Sequence, residues 1–318
     1  MAPSVTGSSP ISPNQRSAVS RYIDSGFFWL TVAFAVGVGL LLLAIALQVG
    51  AGALPALQKF GLGFLVTSRW NPVENIYGAW PQIWGTLFTS FLALLLAVPI
   101  GIGIAIFLNE DFLPGHLKTP IVFLIELLAA IPSVVYGLWG IFVLIPFLLP
   151  FGQWLHDNLG WIPFFSTPPS GPGVYVAGLI LAIMILPIIA AISRDSLAAV
   201  PMSLRQGAYG LGATRWETIF RVLLPTAFSG IVGGIMLALG RAMGETMAVT
   251  MVIGNSNVAS PSILAQGATI ASLLANQFNE ASGLQISSLL YAALILFFLT
   301  LIVNILAEII VRRVRMKV

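Results

Sequence analysis

Arg241 and Glu245 stand four positions apart inside an apolar run from Phe228 to Ile253, in the string Gly240-Arg241-Ala242-Met243-Gly244-Glu245-Thr246-Met247-Ala248-Val249. Read as one helix, the run carries Arg241 about 20 Å from its start and Glu245 one turn further. A charge at that depth of a bilayer costs at least about 2.5 to 3.5 kcal/mol on insertion scales, so both side chains should face protein or water. The i, i+4 spacing gives them a common helix face, where they can pair. Arginine ahead of glutamate is the poorer order for such a pair and runs against the helix dipole, so each is expected to meet a neighbouring helix or subunit as well. A guanidinium presents a planar fork of donors matched to tetrahedral oxyanions and stays charged when desolvated. Arg241 is therefore a candidate for offsetting the dehydration of an oxyanion in transit, with Glu245 holding it in place when no anion is bound. A purely structural ion pair that fixes helix register is the other reading of these two residues.

Three hydroxyls and one more acid join the candidate pathway. Ser133, Tyr136 and Thr246 can donate to an oxyanion or can bond neighbouring helices. Glu126 lies about two turns above the start of its apolar run, which leaves a snorkelling role and a gating role both open.

These residues must be positioned by a bundle of membrane helices. With 58% hydrophobic and 8% charged residues, the chain has too little polar side chain to wet a soluble surface, so an all-α polytopic membrane protein is expected. Six runs can cross about 30 Å of hydrocarbon: Phe27 to Gly50, Ile83 to Leu108, Pro120 to Leu149, Val174 to Ile192, Phe228 to Ile253 and Ile286 to Val311. Pro99, Pro132 and Pro187 are expected to bend their helices. The division is a tail over 1–26, a membrane domain over 27–311 with a polar loop at 193–227, and a basic tail over 312–318. The first run is too long for a signal peptide and lacks a small-residue cleavage site.

Basic residues sort by side. Arg16, Arg21, Lys118, Arg194, Arg205, Arg215, Arg221, Arg312, Arg313, Arg315 and Lys317 fall on one face, against Lys59 and Arg69 on the other. The positive-inside rule then puts both termini in the cytoplasm. The outward segments, Ala51 to Gln82, Pro150 to Gly173 and Gly254 to Gln285, carry Trp70, Trp80, Trp84, Trp154 and Trp161. These suit an interfacial aromatic belt, or a docking surface for an external solute-carrying protein.

Several chemistries are excluded. Without cysteine there is no disulfide, thiolate metal site or cysteine nucleophile. His116 and His156 lie in separate polar loops and do not resemble a metal pair. Lys59, Lys118 and Lys317 are the only lysines and none follows a glycine as a phosphate-binding loop requires, so any energy from nucleotide must come from another protein.

The loop from Ser193 to Ala227 is polar enough to leave the membrane. Pro201 with Ser203 reads as a helix start, Gly210 and Gly212 as its end with a tight turn, and Thr214 as the cap of a second helix closed by Glu217. This stretch resembles the EAA loop of ATP-binding-cassette importer permeases. Gln206, Gly207 and Ala208 fill the first three places, Gly212 the glycine, and Val222, Leu224 and Pro225 the end. Gln206 replaces the family's acid and Gly207 its first alanine. Ile131-Pro132-Ser133-Val134-Val135-Tyr136-Gly137 and the string around Arg241 are similar to the phosphate-specific members, and the resemblance runs from about Trp80 to the C-terminus.

The resemblance implies a MetI-like permease core of six helices in a bacterial plasma membrane, moving inorganic phosphate by alternating access past Arg241. It implies that Arg205, Gln206, Gly207, Ala208, Tyr209, Gly212 and Thr214 couple to an ATPase dimer (PstB-like), where ATP and Mg would bind; no cofactor is expected on this chain. It also implies a paralogous permease subunit (PstA-like) and a periplasmic or lipid-anchored phosphate-binding protein (PstS-like), with membrane lipid around the bundle and no nucleic acid. A permease for molybdate or sulfate, and an ion-coupled secondary transporter using Glu245 and Glu126 as a proton relay, are the competing readings. The second of these lacks repeated hydrophobic halves with matched broken helices.

Overall fold

A computed structural model describes the backbone of residues 18–110, 112 and 114–315, and the side chains of 22, 24–110, 112 and 114–309. Arg16, Arg21, Arg312, Arg313, Arg315 and Lys317 of the charge tally, and most of the two expected tails, lie outside those side chains. The chain divides into two units, residues 1–51 and 52–318. The described part of the first is the leading stretch of helix α1 (Ala18–Phe60), which begins inside the segment expected as a tail.

Among the described residues six helices are long and apolar enough to cross a membrane, in agreement with the sequence. Apolar side chains along them, such as Phe91, Leu95, Phe142, Phe147, Leu237 and Phe297, lie exposed. In water this would be untenable. In lipid it is the expected exterior.

The second unit is built around α2 (Trp80–Asn109), α6 (Val174–Ala198) and α9 (Leu224–Gly244). Their shared core holds Ala93, Ala97, Ile180, Ile185, Ile189, Ala238 and Ala242. Small residues set how closely these helices approach. A Cβ at Gly101 would lie 2.8 Å from Ile189 Cγ2, and one at Gly178 would lie 2.7 Å from Leu92 Cδ2. α2 and α6 run through Pro99 and Pro187 without interruption, so the three prolines expected to bend their helices are not equivalent.

Pro132 does break its span. Instead of one helix over 120–149 there are α3 (Gly115–Ala130) and α4 (Ser133–Trp139). Ile131 is extended at φ −68° and ψ 127°, the conformation that a following proline ring imposes. Beyond α4 a turn of π-helix over Gly140–Leu144 leads into α5 (Ile145–Leu159), so the membrane-length segment is Ser133–Leu159 and takes up residues assigned to a loop from sequence.

The fifth span also stops early. α9 ends at Gly244, Glu245 is extended at φ −68° and ψ 124°, and a separate short helix α10 (Met247–Val252) follows. Glycine favours a helix end over a helix interior, and the Glu245 carboxylate accepts a hydrogen bond from the Ala248 backbone N–H at 3.4 Å, meeting a free donor in the first turn of the new helix.

At the end of the bundle far from residues 193–227, the connecting segments are folded. Phe64, Trp70, Tyr77 and Tyr291 form a buried aromatic cluster, and Trp70 Nε1 donates to Gln277 Oε1 at 2.7 Å. Trp70 is thus a core residue, whereas Trp154 and Trp161 are exposed as a belt requires. After α10, residues 254–269 loop back against α2 before α11 (Ile270–Gln277) and the final helix α12 (Leu284–Arg315). Gln82 Nε2 donates to Asn257 Oδ1 at 2.7 Å, Trp84 Nε1 to the Ser260 carbonyl at 2.8 Å, and the Ile270 N–H to Thr86 Oγ1 at 3.0 Å.

Gly85 touches this loop so closely that a Cβ would overlap the Ala268 carbonyl oxygen, while a Cβ at Gly103 on the same helix meets nothing within 4 Å. Gly85→Ala is expected to destabilise the detergent-solubilised chain by about 1 to 3 kcal/mol. Gly103→Ala should be neutral or stabilising by up to about 1 kcal/mol. Thermal unfolding midpoints of the two variants measure the difference in sign.

Candidate functional site

The two interruptions lie side by side, because α4 packs on α10: a Cβ at Gly137 would sit 2.5 Å from Met251 Sδ, and one at Gly140 2.8 Å from Val252 Cγ1. This brings Ser133 and Tyr136 of α4 next to the segment that carries Glu245 and Thr246. Tyr136 is buried, and its hydroxyl donates to the Leu128 carbonyl at 2.8 Å, tying α3 to α4 across the break. Its proton is therefore engaged in this state. Ser133 is the first residue of α4, half-buried, and its hydroxyl makes no hydrogen bond to the described residues. The Thr246 carbonyl accepts from both the Thr250 N–H at 2.9 Å and the Thr250 hydroxyl at 2.7 Å, while its own hydroxyl is unbonded within the described residues.

Arg241 lies in the last turn of α9. α9 ends at Gly244 with Glu245 just beyond it, and the expected ion pair between Arg241 and Glu245 is absent among the described residues. The guanidinium is exposed in this chain and lines an open groove of about 860 Å³ with Ser229, Gly233, Gly240, Asn304 and Glu308. It also lies within electrostatic reach of the Tyr136 hydroxyl. A forked cation at a helix break, without a salt bridge to the described residues, can bind an anion without first giving up an internal pair.

Glu126 stands apart from this group. It sits on α3 with its side chain more than half exposed, 3.9 Å from Arg194, which pairs at 3.0 Å with Asp195.

Residues 201–218 fold as the spacing predicts. α7 (Met202–Gly210) starts after Pro201, and α8 (Arg215–Thr218) is capped by Thr214 and Glu217 in a reciprocal capping box. Between them Gly212 takes φ +83°, the Ala213 N–H bonds the Ala208 carbonyl and the Gly212 N–H bonds the Tyr209 carbonyl, both at 3.0 Å. This is a Schellman ending, which requires a left-handed residue at the Gly212 position. The outer surface of the elbow is low in relief: a Cβ at Gly207 or Gly210 would meet nothing within 4 Å, and Gln206, Tyr209 and Leu211 are exposed.

Arg205 faces the other way. Its Nη1 donates to Glu110 Oε1 at 2.7 Å, and Arg215 Nε approaches Glu110 Oε2 at 3.5 Å. Glu110 follows directly on α2 and is only 2% exposed. Arg215 also covers the Phe112 ring at 4.1 Å, and Phe112 contacts Phe107 and Trp216. The carboxylate is buried while the two arginines keep 19% and 37% of their side chains exposed, so the pair is dry on one side only. Glu110 has no local signature in the sequence: an acid at the end of an apolar run is ordinary, and its partner Arg205 is 95 positions away. The family resemblance sets Arg205 among the coupling residues of the elbow, and the structure turns its side chain inward, onto α2.

Residues 97–316 match the model of the binding-protein-dependent transport system inner membrane component family. The chain belongs to this family. It is 48% identical over 299 residues, 92% of this chain and 95% of the relative, to the phosphate transport system permease protein PstC of Haemophilus influenzae. Among solved structures it is similar to a bacterial ABC transporter involved in import of the acidic polysaccharide alginate, with a TM-score of 0.55 at 17% identity over 92% of this chain and 98% of that one. It is also similar to the MetNI methionine ABC transporter, with a TM-score of 0.52 at 18% identity over 74% of this chain and 94% of that one. The MetI-like ABC importer permease fold expected from sequence is thereby established, and with it a multi-pass membrane protein.

Within this family fold the elbow depends on Gly212. Gly212→Val places a β-branched residue at positive φ and is expected to destabilise the turn by about 1 to 2 kcal/mol. Hydrogen exchange of the amides of residues 207–213 should accelerate accordingly, with those of α6 unchanged.

Proposed function

We propose that this chain is the transmembrane permease subunit of an ATP-driven importer of inorganic phosphate. The observation that carries the reading is the 48% identity, spread over nearly the whole length, to a relative named as a phosphate transport permease. Arg241, exposed at the junction of two helix breaks with no salt bridge to the described residues, supports it from the side of chemistry.

In this mechanism the chain pairs with a paralogous PstA-like permease across the α9 face. A PstS-like binding protein delivers phosphate to the end of the bundle that carries residues 254–269. Arg241 takes up the anion's charge as its water is removed, while Ser133 and Thr246 offer hydroxyl donors at the neighbouring break. Glu245, held on the Ala248 N–H, limits how tightly the anion is bound, so that it can leave. Glu126 with Arg194 lies nearer the elbow, on the exit side. The chain hydrolyses nothing itself. A PstB-like ATPase dimer grips the surface formed by Gln206, Gly207, Ala208 and Tyr209, and its closure on ATP reorients the spans. The elbow must be bound differently in the two states for anything to be transmitted. The excess of basic residues on the elbow side supports a plasma-membrane orientation with both termini in the cytoplasm.

Arg241→Ala is expected to abolish uptake of labelled phosphate by proteoliposomes holding the assembled importer, with the ATPase still co-purifying. Wild-type uptake in that variant would remove Arg241 from the pathway. Competition by excess molybdate or sulfate in the same assay separates phosphate from other oxyanions, and strong inhibition by either would redirect the substrate assignment.

Gly207→Trp fills the open surface of α7 without touching the interior. It is expected to leave the chain folded and to prevent the ATPase from co-purifying; retention of the ATPase would overturn the docking reading.

A further inference from the structure

We infer that Glu110 is the joint through which movement of the elbow reaches α2, and through α2 the loop of residues 254–269 at the opposite end of the bundle. The inference rests on the reading in which α7 docks an ATPase, and it names the element that receives the displacement.

Among the described residues Glu110 is the sole acidic or basic residue that is buried. One carboxylate engages both arms of the elbow, with Arg205 of α7 on Oε1 and Arg215 of α8 on Oε2, one on each side of the Gly212 turn. Asn109 Nδ2 adds a contact to Oε1 at 3.3 Å. A displacement of either arm therefore acts on the same residue. Glu110 is itself fixed to α2, since its N–H donates to the Ile106 carbonyl at 2.9 Å.

Holding a loop against a helix does not call for a buried charge. An apolar contact of similar volume would stabilise the fold as well or better. What an ion pair of this geometry adds is a directed tether that resists being pulled apart, whereas an apolar contact can slide. α2 is suited to carry the pull, being 30 residues of unbroken helix and so about 45 Å long. Its other end is bonded to the returning loop by Gln82, Trp84 and Thr86. That loop continues directly from α10, the helix that Glu245 caps. The elbow and the segment beside Arg241 are thus joined by one rod with a polar fastening at each end.

The natural absence of cysteine allows the rod to be tested directly. Spin labels on cysteines introduced at the exposed Ser203 of α7 and Leu95 of α2, in the assembled importer, report the elbow-to-rod distance. The expected result is one distance that stays constant between nucleotide-free and ATP-bound states. In Glu110→Gln the distance is expected to change with nucleotide, and phosphate transported per ATP hydrolysed is expected to fall about tenfold, with the ATPase still bound. A nucleotide-dependent distance in the chain with Glu110 intact would overturn the inference even if Glu110→Gln fails to fold. An unaltered ratio of transport to hydrolysis in Glu110→Gln would overturn it as well. Loss of the docking reading shows separately, as an ATPase that stays bound to Gly207→Trp.

Discussion

Hydrocarbon offers no hydrogen-bond partner, so a chain crossing it must satisfy its own backbone, and a helix can stop midway only where protein or water takes over. Two spans of this chain stop midway, at Ile131-Pro132 and at Glu245-Thr246. They are packed against each other, and each break is repaired by a side chain: the Tyr136 hydroxyl on the Leu128 carbonyl, and the Glu245 carboxylate on the Ala248 N–H. Two of the polar residues that sequence marks as candidates for solute contact, Tyr136 and Glu245, are thus engaged by the broken backbone. Arg241 and the hydroxyls of Ser133 and Thr246 are not engaged in this way among the described residues. Of these Arg241 carries the charge and faces a groove, which is why it stands as the anion-binding candidate of the cluster.

The elbow obeys the opposite rule. It lies where its backbone can meet water, and its shape comes from local chemistry: a left-handed glycine, a Schellman ending and a capping box. These need no partner to form. The elbow is therefore already shaped before anything docks on it, which lowers the entropy lost on binding. Its inner side adds the contact that local chemistry could not supply, the two arginines on Glu110.

What can be read from sequence follows the same division. The elbow is legible almost residue by residue, because caps and turns are set by neighbours a few positions apart. The six spans are legible as hydropathy, and the family as a pattern of spacing. The breaks are not. Pro132 and Pro187 look alike as letters, but the structure interrupts the helix at the first and runs through the second, and that difference lies in packing. Periodicity makes Glu245 a helical partner of Arg241 because it assumes that the helix continues; the competing cap on the Ala248 N–H is invisible to it. Glu110 escapes a local reading because its partners come from a distant part of the chain.

The turn of π-helix at Gly140–Leu144 has a counterpart at Ile219–Leu223, just after the elbow. Each holds one residue more than regular winding would, and a single residue turns an α-helix by about 100°. The stripes of side chains before and after each wide turn are therefore out of phase with one another. At Ile219–Leu223 the offset falls between α8, whose Arg215 approaches Glu110, and α9, whose Arg241 lines the groove.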